Sequence, residues 1–141
     1  MESKKNNRVW IFGLAVMFLL VTAFVSYARS ERKPRYSLSD GQHLTLVIDS
    51  IDYRADLTRM YGKFVGRPHT SQQVKSITLH NGSRSYAATD IDGVDFDRWF
   101  QWEEDGVIAV EIDFDKMPEI KTGRLVIVTP RGTDSCTMTK Q

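Results

Sequence analysis

Nineteen consecutive residues without a charge, Trp10 to Ala28 (WIFGLAVMFLLVTAFVSYA), constrain this chain more than any other feature. As a helix the run would rise about 28 Å, close to the hydrocarbon thickness of a bilayer. It is apolar all round rather than striped, and nothing else in the 141 residues is long enough to wrap it as a core helix. The sequence therefore predicts an N-terminal hydrophobic helix in contact with a membrane. Trp10 and Tyr27 lie near its ends, where amphipathic rings favour the headgroup level.

Lys4, Lys5 and Arg8 precede the run and favour a cytoplasmic N-terminus. Arg29, Arg32, Lys33 and Arg35 follow it and weaken that bias. Two fates are compatible with the pattern: a retained signal anchor, or a signal peptide cut after Ala28, where Ser26-Tyr27-Ala28 offers a small-x-small site. The run exceeds the usual apolar core of a cleaved signal, which favours the anchor. The expected location is a single-pass membrane protein with its C-terminal domain on the extracytoplasmic side, periplasmic or extracellular. Secretion after cleavage is the alternative, and a cytosolic domain a third reading.

The chain divides into a basic tail (1–9), the apolar segment (10–28), a charged linker (29–42) and a folded domain (43–141). Residues 1–35 carry seven Lys/Arg and two Asp/Glu, whereas residues 36–141 carry twelve and sixteen. The mildly acidic domain argues against a nucleic-acid partner. Cys136 is the only cysteine, so no intramolecular disulfide can form, and no cysteine follows the apolar run to carry a lipid.

Beyond the linker the apolar period is two. Leu44, Leu46 and Ile48 alternate with Thr45, Val47 and Asp49, and Arg59–Val65 reads as a second strand whose Gly62 suggests a bulge or a close neighbour. Residues 66–73 read as a loop. Two hairpins are expected: Val74–His80 with Ser83–Thr89 around Asn81-Gly82, and Trp99–Glu104 with Val107–Phe114 around Asp105-Gly106. Ile108, Val110, Ile112 and Phe114 form one clean stripe. Arg124–Thr129 is a nearly continuous apolar strand expected at a sheet centre, and Ser135–Thr139 a short edge strand. About seven short strands without an amphipathic helix predict an all-β fold: a small antiparallel β-sandwich, immunoglobulin-like in broad architecture.

The chemistry is concentrated in residues 90–115, which hold ten carboxylates against one base, Arg98. Such density suits solvated turns, a docking face for a basic partner, or a calcium site. For calcium the candidates are Asp90, Asp92, Asp95 and Asp97, although Gly93 comes too early for an EF-hand loop and no closing Glu follows. Phe96, Trp99, Phe100 and Trp102 interrupt the acids, and their spacing also suits a helical turn capped by Asp95. If exposed, Trp99 and Trp102 beside Glu103, Glu104 and Asp105 would make a platform for a peptide, a glycan or a protein partner. His43, His69 and His80 are scattered, no nucleophile elbow or phosphate-binding glycine loop occurs, and no cofactor is expected. The expected role is non-catalytic binding of a protein partner in a cell envelope. An exported glycan- or peptide-binding domain and a small hydrolase are the alternatives.

Overall fold

The computed structural model describes residues 33–141, which form one compact unit. The expected apolar helix at 10–28 and the tail at 1–9 lie outside the described residues, as does the linker up to residue 32. Among the described residues, no helix is long and apolar enough to cross a membrane.

Ten strands account for most of this unit: β1 (Tyr36–Leu38), β2 (Thr45–Tyr53), β3 (Leu57–Val65), β4 (Ser71–Gln73), β5 (Ser76–Asn81), β6 (Arg84–Asp92), β7 (Trp99–Gln101), β8 (Val107–Asp115), β9 (Thr122–Thr129) and β10 (Gly132–Lys140). Eight form one antiparallel sheet in the order β1-β10-β9-β5-β6-β8-β3-β2, while β4 and β7 pair separately. The two ends of that order lie side by side, and the Ile51 N–H donates to the Pro34 carbonyl at 3.1 Å. The sheet is thus curled into a nearly closed, barrel-like wall with a seam between β1 and β2. The expected all-β, antiparallel class holds, but one curled sheet replaces the two facing sheets of a sandwich.

Alternation fills the interior. Met60 and Phe64 on β3, Val110, Ile112 and Phe114 on β8, and Leu125 and Ile127 on β9 all point inward and are buried. Burying each such side chain stabilises the fold by about 1.5–3 kcal/mol before entropy is counted. The stripe expected on β8 is present. β9 lies between β5 and β10, as its apolar run suggested, but β10 is a full nine-residue strand inside the sheet rather than a short edge.

Antiparallel pairing sends the connections to two ends. One end gathers residues 39–44, the β4–β7 pair, the segment between β6 and β8, and the β9–β10 turn. We call it the Trp end. The other, the Tyr end, is tied by a ring of hydrogen bonds. Tyr53 Oη accepts from the Ile120 N–H (3.1 Å) and donates to Tyr36 Oη (2.7 Å), and Tyr36 Oη donates to the Ile120 carbonyl (2.5 Å). Burial is the main reason both phenols are pushed above the ordinary tyrosine range.

Several local expectations change. Tyr36–Leu38, expected in the linker, pairs with β10, and Ser71–Gln73, expected in a loop, pairs with β7. The first hairpin exists, but Asn81 pairs with Arg84, so the turn residues are Gly82-Ser83. Gly82 has φ 61° and Ser83 is not in the positive-φ region, which fits a type II′ rather than a type I′ turn. The second hairpin does not form. Trp99–Gln101 pairs with Gln73–Ser71, while β8 pairs with β3 and β6. Asp95 caps no helical turn, because Phe96 bridges to Val74. The suggestion at Gly62 is met in both senses. A side chain there would lie 2.5 Å from the Val47 carbonyl oxygen, and the facing strand bulges at Asp49.

Candidate functional site

At the Trp end, β7 alternates outward Trp99, inward Phe100 and outward Gln101. The Phe100 ring stacks on Phe64 at 5.9 Å and meets Trp102 edge-on at 5.2 Å. Trp102 is only 5% exposed. Its indole N–H donates to the Phe64 carbonyl at 3.1 Å, and its ring covers Gly66, where any Cβ would fall within 2.4 Å of the indole. The exposed pair expected from sequence is therefore not formed: Trp102 is a buried buttress, and Trp99 alone faces solvent, at 53%. The Arg131 guanidinium lies 5.7 Å from the Trp99 ring centre and donates to the Ser71 carbonyl at 3.0 Å. It ties the indole to the β9–β10 turn.

Glu103, Glu104 and Asp105 follow directly and are all exposed. They occupy a tight turn closed by the Gly106 N–H on the Glu103 carbonyl (3.0 Å), with Gly106 at φ 65°. His69 Nε2 lies 2.7 Å from Glu104 Oε1. The structure thus brings Trp99 and the acidic turn to the same end of the fold, with Phe100, Gln101 and Trp102 between them in the chain.

The four aspartates considered for calcium do not converge. Asp95 faces Arg98 at 3.3 Å and Asp97 faces Lys75 at 3.3 Å. Asp90 and Asp92 lie on β6 opposite Asp113 and Glu111. Among the described residues, no group of three or more His, Cys, Asp or Glu side chains is arranged to hold a metal ion. The acids on β6 and β8 instead form an outer wall that continues onto β3 and β2. One row reads Asp90, Asp113, Arg59, Asp52, and the next Asp92, Glu111, Tyr61, Ser50. Arg59 grips Asp113 with two hydrogen bonds, Nε at 2.7 Å and Nη2 at 3.0 Å, which hold its guanidinium even more firmly protonated than usual. Between the second row and the Trp end lies a hollow of about 350 Å³, lined by Asp49, Tyr61, Gly62, Asp92, Gly93 and Glu111, with Ala109 and Val110.

No protein-family model, curated protein or solved structure matches this chain.

One polar constellation has no counterpart in the sequence reading. Asp134, 3% exposed, accepts from the N–H groups of Gln42, His43 and Leu44 at 2.9–3.2 Å and lies 2.7 Å from His43 Nδ1. Burial works to raise its pKa, but the His43 ring and the three backbone donors outweigh it and hold the carboxyl below the usual range. An ionised carboxylate only accepts, so His43 Nδ1 is the donor. Gln72 Nε2 completes the cluster by donating to the His43 carbonyl at 2.8 Å. A signal existed: Asp134 shares the inward face of β10 with Cys136 and Met138, an unusual place for a carboxylate. With its oxygens taken by four donors, the Asp–His pair serves to fasten residues 42–44 to β10.

Proposed function

We propose that this protein is a non-catalytic recognition module, carried to or held at a membrane by residues 10–28, whose folded domain binds a protein partner in a cell envelope. The contact would be made through Trp99 and the turn Glu103–Glu104–Asp105. The observation that carries this reading is Trp99: a large ring half out in water, on a strand fixed from beneath by Phe100 and Trp102 and from the side by Arg131. Exposed, immobilised tryptophans favour recognition because little rotamer freedom remains to be lost on binding. The interior of the sheet is filled by side chains, which puts any partner on the outside. Burial of Trp102 leaves a single ring, which favours a protein surface over a sugar held between two.

The test is site-specific photo-cross-linking of the full-length chain in its native host. A photo-reactive side chain at position 101, outward on β7 beside Trp99, or at position 104 should yield one discrete adduct, and the same group at Lys121, near the Tyr end, should not. Trp99→Ala should reduce capture of that adduct's protein by at least about tenfold, the usual scale for a tryptophan hot spot. Its melting temperature should stay within a few degrees, because surface substitutions move stability by about 0.5 kcal/mol or less. Equal labelling from both ends would overturn the reading. Mass spectrometry of the mature N-terminus tests the membrane half: Met1 supports an anchor, and Arg29 a released domain.

A further inference from the structure

The outer wall of β2, β3, β8 and β6 carries a second surface, distinct from Trp99 and its turn. Within the acidic stretch, Asp113, Asp95 and Asp97 are paired with Arg59, Arg98 and Lys75, whereas Asp90, Glu103, Asp105 and Asp115 have no Lys or Arg partner within 4.0 Å among the described residues. The carboxylates around the hollow belong with the second kind, and they share a concave rim with an aromatic ring. Among the described residues, Asp49 and Asp92 have no ion-pair partner within 4.0 Å, and Glu111 reaches only Arg59 Nε, at the 4.0 Å limit. Two backbone features border the hollow: Gly93 (φ 101°) packs so closely on Ala109 that a Cβ would meet its carbonyl oxygen at 2.1 Å, and the bulge at Asp49 places one more carboxylate on the rim.

Two cations of the chain itself already lie against this wall. Lys33 Nζ lies 4.9 Å from the centre of the Tyr61 ring, which lines the hollow. One register step away, Arg59 reaches across to the facing strand and holds Asp113 with its Nε–Nη2 fork. The first marks the aromatic rim as a face that attracts positive charge, and the second demonstrates the geometry in which a guanidinium docks here. The carboxylates are too dispersed for a metal ion, as noted above, and a planar organic cation spans such a separation where a point charge does not.

We propose that the hollow between Asp49, Tyr61, Asp92 and Glu111 receives an arginine side chain from a basic, extended segment of a protein partner. Its guanidinium would be held between the carboxylates of β6 and β8 and pack beside the Tyr61 ring. Electrostatic steering by the surrounding acids would speed encounter, and the fixed hollow would select arginine over lysine. This inference does not rest on the Trp99 reading, since the two surfaces use different side chains.

The experiment measures fluorescence anisotropy of a labelled peptide of alternating Gly and Arg against the full-length chain. Matched Gly-Lys and Gly-Glu peptides and calcium chloride serve as comparisons. The Gly-Arg peptide should bind several-fold tighter than Gly-Lys, and Gly-Glu should not bind. The double variant Asp92→Asn/Glu111→Gln should weaken binding at least tenfold. Asp49→Asn, at an exposed bulge position, serves as an independent second variant and should weaken it several-fold. The triple variant Glu103→Gln/Glu104→Gln/Asp105→Asn should stay within twofold of the parent. No binding, equal loss in the double and triple variants, or displacement of the peptide by calcium at low concentration would each overturn the proposal. None of these outcomes bears on cross-linking from position 101 or 104.

Discussion

Asp134 and Thr58 are both buried and polar, and the fold treats them oppositely. Asp134 has four donors around it, whereas the Thr58 hydroxyl has no hydrogen-bond partner in the barrel interior. An unpaired buried hydroxyl destabilises by about 1–3 kcal/mol. Thr58→Val, which keeps the shape and the β-branch, should therefore raise stability by about 1 kcal/mol, read as a higher urea midpoint with unchanged slope. Asp134→Ala should do the reverse, costing at least about 3 kcal/mol by orphaning three backbone donors. The pH dependence follows from the direction of the shift. The Asp134 carboxyl is more acidic folded than unfolded, so its contribution is present in full above the unfolded value of about 3.9 and is lost as pH falls through the lower, folded value. Thermal melts of the parent should drop across that acid window, and Asp134→Asn should flatten the drop from a lower starting point. Neither role was legible in the sequence beyond the inward parity of Asp134, because the donors come from residues about 90 positions away.

β2, β3, β5 and β8 announced themselves through alternation, β6 through the Asn-Gly turn before it and β9 as an apolar run, whereas only the Ser135–Thr139 part of the nine-residue β10 was legible. β7 was legible as a strand but its partner was not. β1 and β4 hold too few residues to display any period and exist because a distant strand pairs with them. The same limit explains the failed second hairpin. A tight turn does form here, one residue earlier than expected, with Glu104-Asp105 at its centre and Gly106 after it, but Gly66 and the β4 segment claim the chain on its N-terminal side. Two glycines separate conformational from steric demand. Gly82 sits in open space at φ 61°, so Gly82→Ala should cost only the left-handed penalty of about 1–2 kcal/mol. Gly62 has no unusual torsion, but its missing Cβ leaves room for the Val47 carbonyl. Gly62→Ala should cost more than Gly82→Ala, because backbone must move and the β2–β3 ladder with it. Denaturant unfolding of the two variants side by side checks the order.

Inward alternation is identical in a sandwich and in a barrel-like sheet, so sequence periodicity could give the all-β class without the closure. Closure depends on which strands lie at the ends of the order, here β1 and β2. The membrane expectation for residues 10–28 lies outside the described residues and stands on composition alone. The seam should be the first part of the wall to open, since a three-residue strand, the Ile51–Pro34 bond and the tyrosine ring are what hold it. Tyr53→Phe removes the acceptor for the Ile120 N–H and the donor to Tyr36. In hydrogen exchange it should speed opening of β1, the facing half of β2 and Ile120, while β8 and β9 exchange at their original rates. Acceleration spread evenly over all strands would show that the seam is not a separate opening unit.

The Gln141 N–H donates to the Arg35 carbonyl at 2.9 Å. The polypeptide therefore leaves this fold beside the place where it came in. A unit with such a doorway can be spliced into a surface loop of an unrelated host without prying that loop apart, and its two attachment points would then hold the start of β1 against β10 as a covalent clasp.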